Sequence, residues 1–418
     1  MKYQIENHEL NTYTITIGKN TLTSENKLFN GSEKDSYIST ENLPSPPLSC
    51  DYQHLGINLP VLYGNCDFSC TSNETKFGSD IFGACFFMLT RWEEIIDQNK
   101  DVHGRVQAKN AIAYKWHFLN RPIVDEYVDL IWNCLVHLGY KGIRKPNQYE
   151  LIITHDVDEI QKWDGSSAKV KTIAGDLLKR KSIKLAQANL RQIKSAKKGD
   201  INDPYDTFDE LMDLSEKKGV KSHFFFLHYG THENDQNYHW DNPNVVNAID
   251  KIKARSHHIG LHPSYNAHTN AELFHQEKME FEANFNISPT TGRQHYLRFE
   301  TPETWQIWED NNMEWDSSMY YSEQLGFRCG TCRDFPVFNV KTRKTLNLKE
   351  LPMTFMDSSF FKRIESGEFE SLLTELQHYS DIIKQHKGKF VLLWHTNYLN
   401  LHVFKKHKEF YVELLKLL

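Results

Sequence analysis

Leu151-Ile152-Ile153-Thr154-His155-Asp156-Val157-Asp158 is the stretch on which the fold turns. Its apolar opening reads as a buried strand of a parallel sheet, and it runs directly into two carboxylates spaced i, i+2. In α/β architectures the carboxyl ends of such strands carry the chemistry. Alternate strand residues share a face, so Asp156 and Asp158 can enter one pocket. One could then bind a hard or borderline cation while the other handles a proton. A strand end closed by an Asx-type turn would use the same residues without chemistry.

Downstream, strands and helices alternate. Strand candidates are Leu151–Thr154, Ser222–Leu227, Ile259–His262, a short one around Gln294–Leu297, and Lys389–Trp394, with intervening segments long enough for crossover helices. That pattern predicts an α/β fold, a parallel sheet or a (β/α) barrel. Upstream, Tyr13–Ile17 alternates like a strand, Leu43–Pro60 is Pro-rich and loop-like, Asp80–Glu94 has helical periodicity, and a helix opens at Arg121-Pro122 and stops near Gly139. Lys145-Pro146-Asn147 marks the boundary, giving a smaller α/β or α+β domain over 1–145 and the barrel over 146–418.

With 418 residues, 39% hydrophobic and 13% aromatic, the chain can bury a sizeable core and is expected to form two or three domains. A mean hydropathy of −0.61 and the lack of any run of about 18 apolar residues exclude a membrane-embedded helical protein. The opening Met1–Glu6 has no charged-then-apolar leader, so a cytoplasmic location is expected. A net charge of −6 argues against a nucleic-acid binder. Seven scattered cysteines fit reduced thiols better than a disulfide framework; Cys329-Gly330-Thr331-Cys332 could be redox-active or half a zinc site. One stretch departs in charge: residues 169–198 hold ten Lys or Arg against one acid, Asp176. It reads either as a solvated helical insertion or as a peripheral contact with an anionic membrane face or substrate.

Three further clusters sit at strand ends. In Ser256–His268 several histidines crowd a strand whose last residue is His262, a candidate metal ligand or a structural His. In Gly292–Phe299, Arg293 could hold a catalytic carboxylate ionised and oriented or pair on the surface with Glu300 or Glu303. Val391–Asn397 is a buried strand ending in His395, placed for a general acid or for capping the strand. Together they suit metal-assisted hydrolysis.

In order and type these segments resemble the polysaccharide deacetylase superfamily (carbohydrate esterase family 4, NodB-homology domain) over roughly residues 150–400. The resemblance implies a distorted, incomplete (β/α) barrel. It implies Asp156 as the base and Asp158 as a metal ligand. It puts His262 on the first His ligand position and Asn266 where the second His stands, with His268 or His155 as other nitrogen sources. Arg293 resembles the Arg that orients the catalytic Asp, His295 replaces a usual proline, Asp316 in Trp315-Asp316-Ser317-Ser318 resembles the motif bordering the groove, and His395 the acid. Tyr265, Tyr296 and Trp315 are candidate sugar-stacking residues. A divalent metal, zinc first, is implied as cofactor. The implied activity is removal of an acetyl group, most readily N-acetyl, from a carbohydrate such as a nucleotide sugar or a lipid-linked saccharide. Gly326–Thr331 and the N-terminal segments Phe82–Glu94 and Arg121–Asp125 resemble a branch found in bacterial surface-polysaccharide loci, whose first domain has no known role. The alternative is a non-catalytic carbohydrate-binding protein with a degenerate site.

Overall fold

The computed structural model describes residues 5–418 apart from 9–10, 31–36, 53–56, 98, 164, 200, 228–229, 236–237 and 402–405, and only the backbone of 5–8. The N-terminal module opens with strands β1 (Ile5–His8), β2 (Thr12–Ile17), β3 (Asn20–Glu25), β4 (Leu48–Tyr52), β5 (Ile57–Val61), β6 (Gly64–Cys70) and β7 (Glu74–Ser79). Helices α1 (Ile81–Thr90), α2 (Glu93–Ile96), α3 (Ile112–Lys115) and α4 (Ile123–His137) follow. Five strands form one sheet in the order β1-β2-β3-β7-β6, in which β3 and β7 run parallel and the other pairs antiparallel. The Asp80 carboxylate caps α1, accepting from Gly83 N–H at 2.6 Å.

The Pro-rich stretch read as a loop instead contains β4 and β5, paired antiparallel. Cys50, Tyr52, Leu59 and Val61 are buried there, an alternation that outweighs the prolines. The same region corrects the reading of the cysteines: Cys50 on β4 and Cys66 on β6 are joined by a disulfide, and the other five are free. Cys329 and Cys332 are buried, and burial pushes both thiols up, the reverse of a reactive thiolate.

The second module contains β8 (Glu150–Val157), α5 (Gly165–Leu178), α6 (Ile183–Lys198), α7 (Phe208–Lys217), β9 (His223–Leu227), α8 (Pro243–Ala254), β10 (His258–His262), α9 (Ala271–Phe285), β11 (Thr291–Gly292), α10 (Glu303–Asp310) and β12 (Trp315–Asp316). A hairpin of β13 (Phe335–Asn339) and β14 (Lys344–Glu350) comes next, then β15 (Phe355–Met356), α11 (Phe361–Ser366), α12 (Phe369–Gln385), β16 (Lys389–Leu393) and α13 (His407–Leu417). Nine strands form one sheet in the order β13-β14-β12-β11-β10-β9-β8-β16-β15. All neighbours are parallel except β13 and β14.

The sheet curls without closing. Trp315 on β12 and Ile152, Val391 and Leu393 on β8 and β16 share one inner cluster, although their strands lie several places apart in the sheet. Ile153, Val157, Phe224, Phe226, Leu261, Phe390 and Leu392 point the other way, into the helical layer. This is the period-two alternation of a barrel wall. At Gly292 a side chain would collide with Leu261 O, so the close approach of β10 and β11 requires glycine there.

One element differs from expectation. The strand around Gln294–Leu297 is β11, at Thr291–Gly292, followed by a 3-10 turn over His295–Leu297 in which Tyr296 (φ 58) and Leu297 (φ 55) are left-handed. The 169–198 stretch lies within helices α5 and α6, a helical insertion as one of its two readings has it. No described helix is long and apolar enough to cross a membrane.

A buried ionic cluster fastens the modules together. Glu94 accepts from Arg91 Nε at 3.0 Å and from Arg328 Nε and Nη2 at 3.0 and 2.7 Å, and Arg91 Nη2 donates to Tyr321 Oη at 3.1 Å. Burial opposes the Glu94 charge, but the two guanidiniums hold its carboxyl down at about 2. In the same loop Gly326 (φ 150) packs on Leu119, where any Cβ would collide, and Phe327 N–H donates to Leu119 O at 2.8 Å.

Candidate metal centre and active site

The candidate metal-binding and acid–base groups of the cleft lie at or just beyond the carboxyl ends of parallel strands. Inward alternation along β8 brings Thr154, Asp156 and then Asp158 to one side. His262 ends β10, Arg293 follows β11, Asp357 follows β15, and His395 lies two residues past β16. Asp156, Asp158, His262 and His395, with His295 and Tyr296, line a cleft of about 270 Å³, and Thr154, Arg293 and Asp357 stand behind them through hydrogen bonds.

Asp158, His262 and His295 each offer a ligand atom, all within 4.8 Å of one another. His262 Nε2 is 3.5 Å from Asp158 Oδ1, and that oxygen is buried with no hydrogen-bond partner. Both imidazoles are held by their other nitrogen: His262 Nδ1 is 2.5 Å from Arg293 O, and His295 Nδ1 is 3.0 Å from Asp235 Oδ1. This turns their Nε2 atoms toward Asp158, the outer support that metal-binding histidines usually have. One carboxylate and two imidazoles form a donor set suited to zinc, so the residues fit a divalent cation. Burial opposes the charge on Asp158, yet His262, His395 and His295 hold it below the ordinary carboxylate range.

Asn266 stands elsewhere. It is exposed, and its Oδ1 accepts from Arg298 Nη1 at 3.1 Å. His155 faces the helical layer, with Nδ1 2.8 Å from Trp394 O and its ring on Phe224. Among the described residues the third donor is therefore His295, which sequence reading had seen only as a replaced proline. Its signal was present: His295 lies two residues past Arg293, at a strand end, beside Asp158 and His262 in type. What hid it was the 3-10 turn, which a strand pattern does not anticipate.

Asp156 lies beside the three donors, its Oδ2 3.8 Å from His262 Nε2. Its Oδ1 accepts from Arg293 Nη1 at 2.8 Å. The guanidinium is fully buried and is also bonded to Ser317 O (2.8 Å) and Thr154 Oγ1 (3.0 Å), so it fixes the orientation of the Asp156 carboxyl group.

Across the cleft, His395 Nε2 is 3.8 Å from Asp158 Oδ2. Its Nδ1 lies 2.6 Å from Asp357 Oδ1, and its backbone N–H donates to Asp357 Oδ2 at 2.8 Å. Burial works against a charged ring, but Asp357, Asp158 and Asp156 raise His395 to about 10. Sequence reading missed Asp357; nothing in Phe355-Met356-Asp357 distinguishes it until β15 is seen pairing with β16. Glu159 also lines the cleft, its carboxyl raised to about 7 by burial and by Asp158.

Asp316 is fully buried in the sheet, opposite Glu350 in register. It accepts from Ser318 Oγ at 2.5 Å, Arg293 makes no hydrogen bond to it, and burial raises both members of the pair. Of the proposed sugar-stacking residues only Tyr296 borders the cleft. Trp315 packs inside the barrel on His223 and Phe225. Tyr265 stacks on His232 at 4.0 Å.

One wall comes from the N-terminal module. Arg105 reaches the cleft, with Nε and Nη2 on Asp101 Oδ2 (2.8 and 2.7 Å) and Nη1 on Tyr296 O (3.1 Å). That occupies three of the five guanidinium donors.

Residues 2–140 match DUF7033, a family of unknown function. No curated protein matches the chain. Among solved structures it is similar to a polysaccharide deacetylase described as putative from Mycobacterium smegmatis (13% identity, TM-score 0.39, covering 66% of this chain and 85% of that one). It is also similar to PuuE allantoinase (13%, 0.39, 66% and 88%) and to a CE4 family pseudoenzyme from Bacillus anthracis (13%, 0.32, 65% and 62%).

Proposed function

We propose that this protein is a metal-dependent hydrolase that removes an acetyl group, in the first instance N-acetyl, from a carbohydrate of bacterial surface-polysaccharide synthesis. The observation that carries the reading is the convergence, on one cleft, of the Asp158–His262–His295 donor set with the Asp156–Arg293 and His395–Asp357 pairs. A zinc or other divalent cation held by Asp158, His262 and His295 would polarise a carbonyl and ease ionisation of a water. Asp156, oriented by Arg293, takes the proton from the attacking water. His395, kept protonated by Asp357, delivers a proton to the departing amine from the opposite wall. Tyr296 and Arg105 border the space left for the sugar. Asp316, buried beside Glu350, acts at most through the packing beneath Arg293.

The non-catalytic reading drew on Asn266 as a weakened third ligand. With His295 as third donor that motive is gone. The substrate is proposed to be a nucleotide sugar or a lipid-linked saccharide, and the chain to divide near 145/146. A cytoplasmic site suits the five free thiols, whereas Cys50–Cys66 suits an oxidising compartment; a thiol count on freshly lysed cells decides between them.

Elemental analysis of the purified protein, paired with an acetate-release screen over acetylated sugars, tests the reading. We expect near-stoichiometric divalent metal and acetate release that Asp156→Asn nearly abolishes while the fold is kept. Full acetate release from Asp156→Asn, or a protein that binds no divalent metal, defeats it.

A further inference from the structure

Helices α5 and α6 form a hairpin inserted between β8 and α7. The hairpin leaves the barrel at the end that carries the cleft: Glu159 is a wall of the cleft, and three residues on, Lys162 Nζ donates to Asn189 Oδ1 of α6 at 2.8 Å.

Two features of its surface bear on what it could contact. The first is apolar. Leu178 is 77% exposed, Ile183 69% and Val170 67%, with Leu177 and Leu190 also exposed. Leu177, Leu178 and Ile183 flank the turn between the helices and so form the hairpin tip. The second is charge. The hairpin's ten Lys and Arg face one acid, Asp176, which is fully buried and accepts from Asn189 Nδ2 and Arg180 Nη1, both at 2.7 Å. The outer face therefore carries no acid, and Lys179, Arg180, Lys181 and Lys184 lie beside the apolar tip.

Contiguous exposed apolar side chains mark a contact surface. A helical surface that joins them to a ring of cations matches the boundary between anionic headgroups and acyl chains. A nucleic acid or soluble polyanion would use the cations and leave Val170, Leu178 and Ile183 without a partner.

We propose that the α5–α6 hairpin seats this protein on an anionic lipid surface, with Leu177, Leu178 and Ile183 entering the headgroup–acyl boundary and the surrounding lysines and arginines meeting lipid phosphates. The inference stands apart from the hydrolase reading. It deepens that reading by favouring a substrate presented at a lipid surface, because the hairpin and the cleft occupy the same end of the barrel.

Flotation of the full-length protein tests it without any chemistry at the cleft. Phosphatidylcholine vesicles containing phosphatidylglycerol are compared with phosphatidylcholine alone at low salt. The wild type is expected to float with the anionic vesicles and to stay behind with the neutral ones. Leu178→Asp with Ile183→Asp, and separately Lys179→Glu with Lys181→Glu, are expected to lower the floated fraction at least about tenfold with unchanged circular dichroism and melting temperature. All four positions are exposed or lie in the turn, so the fold is kept. A wild type that stays at the bottom with anionic vesicles overturns the proposal, as does a Leu178→Asp/Ile183→Asp variant that floats like wild type. Retention on a polyanion column without flotation reassigns the cations to a soluble polymer and overturns it too.

Discussion

Replacing Asp357 with Asn isolates the acid half of the mechanism. Asp357 is fully buried and accepts three hydrogen bonds, from His395 Nδ1 (2.6 Å), His395 N–H (2.8 Å) and Ser358 N–H (2.7 Å). Burial alone would drive the His395 ring neutral; Asp357, with Asp158 and Asp156, lifts it to about 10. A cation at Asp158 offsets part of that field, so in the loaded protein Asp357 is the charge on which protonation depends. In Asp357→Asn the ring falls back toward the ordinary value of about 6.5, and at about pH 8 only ~3% of it carries the proton, a loss near 30-fold or about 2 kcal/mol. At about pH 6 the loss nearly vanishes, to about 1.3-fold, because an ordinary imidazole is mostly protonated there. Stability follows the same sign. A folded value raised above the unfolded one stabilises fully below about 6.5 and loses that contribution as pH rises toward about 10, so the melting gap between wild type and variant is wider at the acid end. The assay is acetate release against pH on metal-loaded protein, with melting curves alongside. A variant that keeps wild-type turnover at about pH 8, or an unchanged pH profile, refutes the assignment.

Four other outcomes follow from the same geometry. His295→Ala loses bound metal by about 10- to 100-fold or more in affinity, whereas Asn266→Ala keeps it; elemental analysis after dialysis separates the two. Arg105→Ala raises KM several-fold with kcat and metal content little changed, because Arg105 lines the cleft and bonds none of the three donors; steady-state kinetics reads the split. Glu94→Ala leaves the buried Arg91 and Arg328 guanidiniums uncompensated and lowers unfolding stability by about 3–5 kcal/mol in denaturant titration. Titration of the denatured, unreduced protein gives five free thiols out of seven if Cys50–Cys66 is closed.

The barrel was legible because its strands announce themselves twice, by buried apolar runs and by polar residues at their carboxyl ends. Leu151–Asp158, Ile259–His262 and Lys389–His395 each carried both signals, and each lies beside the cleft. Trp315–Asp316 and Phe355–Met356 are two-residue strands, too short for any period to register, and with the second went Asp357. Asn266 was chosen by spacing along the chain. The structure selects His295 by spacing across the sheet, after a left-handed turn at Tyr296 and Leu297 that no hydrophobic pattern encodes. Arg105 was invisible for another reason: its partner Tyr296 lies 191 residues away, and only docking of the two modules joins them.

That docking has a consequence for how the chain can change. Glu94 lies within the segment matching DUF7033, and Arg328 lies far outside it. Grafting a foreign head onto this barrel would strand a guanidinium in a dry interior, and cutting the head away would open one side of the cleft at Arg105. The two halves are therefore not interchangeable parts: a charge altered in one must be answered in the other.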